Sequence, residues 1–345
     1  MVKLLKRKKV TEKEIMDEIE NEDLPSGLIP IETSLVVSTG CTLLDLAILG
    51  GRVRGGGLPG GIMVELHGPS GCGKTALAVD IAASIQNKGG EADIADPESR
   101  LDKEYARIYG AEINKDNYWR PKTVTEIMDD FINWEVKNKK VLNVKICDSI
   151  AALCSELEMQ EGGDKRGQAK AKELHAGCRK LATEIAKDYK AIIFTNHEMD
   201  GDYGKTTPGG KAVPYYASLR IRINQIKLVE ETKKISSGKS IKKSIGVLSN
   251  CFVKKSSVDN AYRSAPLYMI NGHGIDDVRG NLQWYKDMMK GTKYIAVDKE
   301  YKSMADAIRY IEKEDLEIDL REMVIDLWDE IEDKFRMKRK KKVRF

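Results

Sequence analysis

The sequence lacks the features that mark membrane, secreted and zinc-binding proteins. No apolar run among its 345 residues is long enough to span a bilayer, and the basic N-terminus lacks the apolar segment of a signal peptide. Its six cysteines include no C-x-x-C pair, and its four histidines show no zinc-ligand spacing. We therefore expect a cytoplasmic protein without disulfides and without a cysteine- or histidine-based metal site.

A large excess of one charge is also missing. Lysine and arginine number 58 and aspartate and glutamate 54, so the formal net charge is only +4. Any binding of nucleic acid must therefore come from local patches of basic residues. The chain is 41% hydrophobic and 32% charged, which favours a folded core over disorder. Its length suits one large domain, or a core with smaller appendages.

The most informative stretch is a strand, a glycine-rich loop and a helix in direct succession. Residues 62–67 are mostly apolar, residues 68–75 fit the P-loop pattern G-x-x-x-x-G-K-[ST], and residues 76–87 have helical apolar spacing. Backbone N–H groups of such a loop surround phosphate oxygens, and the helix N-terminus adds positive charge. The predicted nucleotide-binding residues are Gly68, Pro69, Ser70, Gly71, Cys72, Gly73, Lys74 and Thr75, with Lys74 on the phosphates and Thr75 on Mg²⁺.

Three further apolar segments deliver polar side chains to the same place. One leads to Glu98, a second ends at Asp148 and a third ends at His197. An apolar strand that ends in aspartate is typical of a Walker B element, which directs a carboxylate toward Mg²⁺. Alternating strands and helices predict an α/β fold with a mostly parallel, twisted sheet flanked by helices. The P-loop and these three residues should meet at the carboxyl edge of that sheet.

Two segments after core strands, residues 158–167 and 198–210, are glycine-rich, charged and poorly periodic. We expect both to be mobile surface loops in the absence of a partner. The second ends in Gly209 and Gly210 at the start of a helix, which is a ready site for a phosphate. From composition alone, solvated loops without a binding role are the alternative explanation for both segments. The first leads into a helix with the basic residues Lys165, Arg166, Lys170, Lys172, Arg179 and Lys180.

The ends of the chain carry weaker signals. Residues 3–9 form a basic run that is either a solvated arm or a DNA contact. A capping-box pattern at residues 11–14 opens a short amphipathic helix, which packs either on its own domain or on a neighbouring subunit. Residues 304–335 have helical spacing with an interruption near residues 315–319. The basic tail that follows is either solvated or attracted to phosphates.

Taken together and in this order, the motifs resemble those of RecA-type homologous recombinases. The resemblance covers roughly residues 35 to 275. It divides the chain into an N-terminal arm and helix (1–34), a RecA-like ATPase core with DNA-binding loops (35–275) and a small, mainly helical C-terminal region with a basic tail (276–345). The matching pieces are Ser38-Thr-Gly with Leu44-Asp45, the P-loop, residues 96–102 with Tyr105-Ala106, and residues 148–153, 179–181, 195–196, 206–212 and 216–218.

The sequence departs from the bacterial pattern at three places. His197 stands where bacterial members have glutamine, which is similar to the T4-type phage recombinases. Residues 338–344 are basic where bacterial members usually carry acidic residues, and Ser257 replaces a second lysine of the family. We therefore expect a phage-encoded or divergent member that works in the bacterial cytoplasm, or in the host cytoplasm if phage-encoded.

The resemblance implies a role for each nucleotide-site residue, with ATP and Mg²⁺ as cofactors. Glu98 would polarise the attacking water, and His197 would sense the γ-phosphate and pass its presence to the second loop. Asp148 would hold the metal through water, together with Thr75. Lys255 would reach the ATP of the neighbouring subunit, with Lys254 or Arg263 in place of the missing second lysine. Asp102 and Tyr105 would contact adenine.

The resemblance also implies partners. The loops at 158–168 and 198–210 would bind single-stranded DNA, double-stranded DNA would be the second substrate, and identical subunits would form a helical filament. Single-strand-binding and mediator proteins are further expected partners. The implied DNA-binding residues are Lys165, Arg166, Lys172, Arg179, Tyr203, Gly209, Gly210 and Lys211.

The function that we expect is that of an ATP-dependent DNA recombinase, which pairs and exchanges homologous strands in recombination and repair. A hexameric helicase with the same core is the first alternative. Such helicases lack the Thr-Thr-Pro-Gly-Gly sequence at residues 206–210 and usually carry a separate N-terminal domain, for which about 35 residues are too few. A filament mediator without ATP turnover is the second alternative, and the presence of Glu98 argues against it.

Overall fold

The computed structural model describes residues 35–160, 166–185, 190–201, 204–337 and 339. Within these ranges the side chains of residues 160, 166, 167, 200, 201 and 204–206 are outside the description. The amphipathic helix expected near residues 11–19 and nearly all of the basic tail also lie outside the described residues. Within the described part of the chain, no helix has the length and apolar character needed to cross a membrane.

Strands and helices alternate along the described chain. The strands are β1 Val36–Val37, β2 Leu58–Pro59, β3 Ile62–Gly68, β4 Ala92–Ala95, β5 Tyr118–Trp119, β6 Asn143–Cys147, β7 Lys190–His197, β8 Met199–Gly201, β9 Gly204–Thr206, β10 Leu219–Lys234, β11 Ser240–Ser256, β12 Ser264–Ile270, β13 Gly274–Ile275, β14 Tyr294–Ala296 and β15 Lys299–Tyr301. The helices are α1 Thr42–Leu49, α2 Lys74–Asn87, α3 Lys103–Ile108, α4 Val124–Ile132, α5 Glu156–Gln160, α6 Arg166–Glu184, α7 Ala212–Tyr216, α8 Asp277–Met288, α9 Met304–Lys313 and α10 Glu317–Phe335.

The main sheet has nine strands among the described residues, in the order β13-β12-β11-β10-β3-β7-β6-β4-β5. The pairings from β10 across to β5 are parallel, and those among β10, β11, β12 and β13 are antiparallel. The predicted α/β fold with a mostly parallel sheet is therefore confirmed. Strands β10 and β11 continue beyond their other partners and pair only with each other out to Lys234 and Ser240, as a two-stranded ribbon.

Both faces of the parallel strands are buried, which explains why these strands read as apolar runs. On β7, Ile193 packs into the layer that contains α2, whereas Ile192 and Phe194 pack into the layer that contains α4 and α6. The rings of Phe131 and Phe194 lie 5.9 Å apart in this second layer. The helix α4 begins with a capping box in which Thr123 binds the following turn. The sheet thus lies between one layer that contains α2 and a second layer that contains α4 and α6.

The C-terminal region has a small core of its own, formed by α8, β14, α9 and α10. The predicted interruption of the helical pattern is confirmed, because α9 ends at Lys313 and α10 begins at Glu317. The antiparallel pair β14–β15 was not predicted. The buried residues in the core of the C-terminal region are Leu282, Ala296, Ala307, Ile311 and Leu320.

The expectation that both glycine-rich segments lack regular structure is wrong in part. The start of the first is helical in α5, because Ser155 and Glu158 cap it reciprocally: Ser155 N donates to Glu158 Oε2 (2.6 Å) and Glu158 N donates to Ser155 Oγ (3.2 Å). Part of the second segment pairs with itself, since β8 and β9 form an antiparallel ladder from Met199 opposite Thr206 to Gly201 opposite Gly204. Pairing satisfies backbone N–H and C=O groups that would otherwise need water.

Candidate functional site

The P-loop connects the end of β3 to the first turn of α2. Gly73 has φ +100°, a backbone conformation that residues with a side chain rarely adopt. A Cβ there would also lie 2.1 Å from the Met269 sulfur, so both the conformation and the space favour glycine. Lys74 is almost fully buried, and its Nζ donates to the carbonyl oxygens of Gly68 (3.1 Å) and Pro69 (2.7 Å). The ammonium group is therefore held inside the curve of the loop.

Asp148 lies at the bottom of the site between two hydroxyl groups. Thr75 Oγ1 donates to its Oδ2 at 2.6 Å, and Thr195 Oγ1 donates to its Oδ1. Burial raises the pKa of the Asp148 carboxyl, the two hydrogen bonds lower it, and the charges of Glu98 and Asp96 raise it further. Carboxylate and hydroxyl oxygens are ligands that Mg²⁺ accepts, and a cation here would relieve the crowding of negative charge. The residues present therefore fit a Mg²⁺ site.

Glu98 is held by three polar neighbours at the edge of the site. Its Oε1 accepts a hydrogen bond from Ser149 Oγ (2.6 Å) and lies 3.0 Å from His197 Nε2. Its Oε2 lies 2.8 Å from Arg100 Nη1. Burial raises the pKa of the Glu98 carboxyl, but the hydrogen bonds of Ser149 and His197 and the charge of Arg100 outweigh burial, so its pKa is lowered. The carboxylate is therefore ionised at neutral pH.

These groups surround one cavity of about 270 Å³. On one wall Tyr105 and Tyr109 stack at an angle, with ring centroids 5.1 Å apart. Tyr105 is about one-third exposed rather than part of the core. Asp102 instead caps α3, where its Oδ1 accepts a hydrogen bond from Tyr105 N (2.7 Å). The cavity is lined by Ser70, Gly71, Gly73, Lys74, Thr75, Ala76, Asp96, Glu98, Arg100, Tyr105, Tyr109, Asp148, His197, Val247, Met269 and Asn271.

The end of the second predicted DNA-binding segment packs against α6, the helix that follows the first segment. Gly209 has φ +85°, and a Cβ there would lie 2.5 Å from Leu174 of α6, so the end of the second segment packs closely on this helix. Lys172 and Arg179 are exposed on α6. Lys170 on the same helix is not exposed for a DNA contact, because it is buried and its Nζ donates to Ala151 O at 2.9 Å.

Other predicted DNA-binding residues are placed only in part. Gly210 has φ +72°, and exposed Lys211 directly precedes α7 without a side-chain cap bond. Lys165 and Tyr203 lie outside the described residues, as does the side chain of Arg166.

The predicted intersubunit lysine has partners within its own chain. Lys255 Nζ donates to the carbonyl oxygens of Pro214 (3.2 Å) and Tyr215 (2.7 Å) in α7. Burial lowers the pKa of Lys255, and the charge of Arg220 lowers it further. Of the two proposed substitutes for the missing lysine, Arg263 is bound by Asp259 (2.8 Å) and Glu332 (2.5 Å). Lys254, by contrast, is exposed.

Sequence reasoning did not assign the groups that orient the carboxylates. Ser149 follows the predicted Asp148 and could have been suspected from that position. Thr195 lies two residues before His197, so both side chains leave β7 on the same face. Arg100 carried no signal, because an exposed arginine after a strand is common. Val247 and Met269 come from distant strands, which local patterns cannot place.

The family model and the relatives that match this chain all belong to the RecA family. The profile of the RecA N-terminal domain family matches residues 27–276. Protein RecA of Crocosphaera subtropica is 34% identical over 248 residues, which cover 69% of this chain and 66% of that protein. Protein RecA of Thermus thermophilus is 33% identical over 261 residues, covering 73% and 72% of the two chains. Protein RecA of Clostridium acetobutylicum is 35% identical over 201 residues, covering 56% of each.

Proposed function

The chain belongs to the RecA family of DNA-dependent ATPases that act in recombination and repair, and we propose that it binds ATP with Mg²⁺, assembles as a helical filament on single-stranded DNA and exchanges homologous strands. The observation that carries the proposal lies at the end of β7. There His197 contacts Glu98 in the nucleotide cavity, and the next residues lead directly into the glycine-rich segment that ends against α6.

For nucleotide binding, the proposal assigns the phosphates to the P-loop. Lys74 exchanges its carbonyl partners, Gly68 and Pro69, for β- and γ-phosphate oxygens, since an ammonium binds a charged oxygen more strongly than a neutral one. Tyr105 packs on adenine, and Asp102 keeps Tyr105 in place by capping its helix, in addition to any direct contact.

For hydrolysis, Glu98 orients and polarises the attacking water. Its lowered pKa supports this role, because the carboxylate must be ionised to accept a proton. Thr75 and, through water, Asp148 would hold Mg²⁺, which when bound would neutralise charge on the phosphates. Thr195 and Thr75 fix both oxygens of Asp148. The position of these carboxylates argues against a filament mediator without turnover.

Single-stranded DNA binds at the surface where α6 meets residues 207–211. Lys172 and Arg179 contact phosphates from α6, while Gly209 and Gly210, which have no side chains of their own, offer backbone N–H groups beside that helix. Lys211 adds positive charge beside them. Lys165, Arg166 and Tyr203 remain predicted contacts.

For assembly, Lys255 acts on the ATP of a neighbouring subunit. Its two carbonyl partners in α7 hold the half-buried ammonium in place before assembly. Lys254 is the better candidate for the second cation, because Arg263 is already paired with two carboxylates. Single-strand-binding and mediator proteins are proposed as loading partners.

The experiment that tests this function measures phosphate release and joint-molecule formation with the same protein preparation. We expect single-stranded DNA to stimulate ATP hydrolysis, and ATP to allow pairing of a homologous duplex with that strand. A heterologous duplex is the control for pairing. Equal hydrolysis with and without DNA, together with no homology-dependent joint molecules, would contradict the proposal.

A further inference from the structure

Alternate side chains at the end of β7 face opposite layers of the protein. Thr195 and His197 face the layer that contains the nucleotide cavity, where they bind Asp148 and Glu98. The residues between and after them face the other layer. There Asn196 Nδ2 donates to Glu65 Oε1 and to Pro208 O, both at 3.2 Å. A displacement of this strand end therefore affects both layers at once.

Glu198, the residue after His197, is the centre of a cluster of charged and polar groups in which the Arg222 side chain is 33% exposed. Arg222 binds it with two parallel hydrogen bonds, Nε to Oε1 (2.7 Å) and Nη2 to Oε2 (2.9 Å). His67 Nδ1 lies 3.1 Å from the same Oε1. The side chains of Glu198 and His67 are only 5% and 2% exposed. A two-pronged contact at such a buried place fixes direction as well as distance.

The cluster is joined to the P-loop through the backbone. Glu198 N donates to Gly68 O at 3.1 Å, the same oxygen that accepts a hydrogen bond from Lys74 Nζ. His67 directly precedes Gly68, and Arg222 is the register partner of His67 on β10. Three adjacent strands are thus connected beside the phosphate-binding loop: the carboxyl ends of β3 and β7, and β10 near its start.

The same layer also holds the far end of the segment that begins at Glu198. Pro208 O is bound by Asn196, and Asn196 shares Glu65 with Arg220 Nε (2.5 Å). The beginning and the end of residues 198–208 are therefore attached to neighbouring positions on the sheet. The stretch between these attachments includes the ladder of β8 and β9.

We propose that Glu198, Arg222 and His67 form a positioning clamp, which converts movement of His197 at the nucleotide into movement of residues 199–210 at the DNA. This inference rests on the proposed DNA-binding role of that segment. None of the three side chains lines the nucleotide cavity, so the clamp affects coupling rather than the chemical step. It lets a bound nucleotide favour one placement of the segment, as differential binding to two states requires.

The test compares Glu198→Gln with wild type in ATP binding, DNA-independent hydrolysis and the concentration of single-stranded DNA that gives half-maximal stimulation. Glutamine keeps the size but removes the charge that Arg222 grips. We expect ATP binding and DNA-independent hydrolysis to stay within about twofold, and coupling to DNA to weaken by roughly threefold to thirtyfold. The matched control is Glu230→Gln, which removes a carboxylate from an exposed pair with Lys242 (2.6 Å) and should change nothing.

A second variant covers the case in which Glu198→Gln fails to fold. Arg222→Lys keeps the charge but loses the two-pronged contact, so it should weaken coupling in the same direction by a smaller factor. Unchanged coupling in a folded variant, while wild type responds to DNA, would overturn the clamp alone. Loss of ATP binding in step with coupling would also overturn it, because the residues would then be merely structural. A wild type without any response to DNA would overturn both the clamp and the proposed function.

Discussion

Nε2 of His197 lies 3.0 Å from Oε1 of Glu98, the same carboxylate oxygen that accepts a hydrogen bond from Ser149. The residue proposed to sense the γ-phosphate therefore touches the residue proposed to activate water. Movement of His197 toward a phosphate would free one side of this oxygen. Glu98 would then have room for a water molecule, while Ser149 and Arg100 continue to hold the carboxylate.

Glu98→Gln should separate ATP binding from turnover. Glutamine preserves the size of the side chain and one acceptor oxygen but loses the charge that polarises water. We expect hydrolysis to fall by about 100-fold or more, with DNA retention in the presence of ATP kept or prolonged. Phosphate release and filter retention of labelled DNA, measured in parallel, check this. Hydrolysis at the wild-type rate would remove Glu98 from the catalytic role.

Ser149→Ala should move the acid limb of the pH–rate profile to higher pH. The hydrogen bond from Ser149 helps to lower the pKa of Glu98, so its removal raises that pKa. Because the ionised carboxylate is the active form, activity is then lost at a higher pH as the solution is acidified. The measurement is the profile of kcat/KM from neutral pH down to about pH 3, which spans the ordinary pKa of a glutamate carboxyl of about 4.3. Ser149→Thr keeps the hydroxyl and should restore the limb, whereas identical profiles for all three proteins would contradict the assigned contact.

Lys74→Ala should abolish nucleotide-dependent assembly. The variant loses the buried ammonium that the P-loop holds near its own carbonyls, and with it the charge placed on the phosphates. Binding of a fluorescent ATP analogue and sedimentation on single-stranded DNA report the two effects. Lys88→Ala is a suitable control, since Lys88 ends the same helix far from the loop. A Lys74→Ala protein that binds ATP and assembles normally would refute the assignment.

Lys255→Ala should impair hydrolysis in the assembled state more than ATP binding by a dilute subunit. The reason is that the lysine is proposed to act across a subunit boundary, whereas within its own chain it contacts only carbonyls of α7 among the described bonds. Equilibrium nucleotide binding at low protein concentration and DNA-stimulated hydrolysis at high concentration separate the two. An equal loss in both assays would place the lysine in its own subunit's site or give it a structural role.

Much of the site was predictable from the sequence because its parts lie at strand ends. The P-loop has a fixed spacing of residues, which a sequence shows directly. Apolar strands that lead to Asp148 or His197 indicate the carboxyl edge of a parallel sheet. The same reasoning found Glu98, one short turn beyond β4. These features depend on neighbours in the chain, which local patterns report well.

The clamp could not be predicted in this way because its members come from three separate strands. The sequence nevertheless contains a signal. Glu65 and His67 are polar residues two positions apart in an otherwise apolar strand, and Arg220 and Arg222 alternate with apolar residues in the same way. Such spacing puts both side chains of each pair on one face, where buried charges need partners. Which strand supplies the partner depends on the order β10-β3-β7, and sequence periodicity does not give that order.

We propose that ATP organises this chain into a filament on single-stranded DNA, and electron microscopy would show that assembly itself. The protein would be mixed with single-stranded DNA and a slowly hydrolysed ATP analogue, with Lys74→Ala as the control. We expect open helical filaments along the DNA for wild type and none for the variant. Closed rings of subunits would contradict it and would favour a hexameric helicase built on the same core.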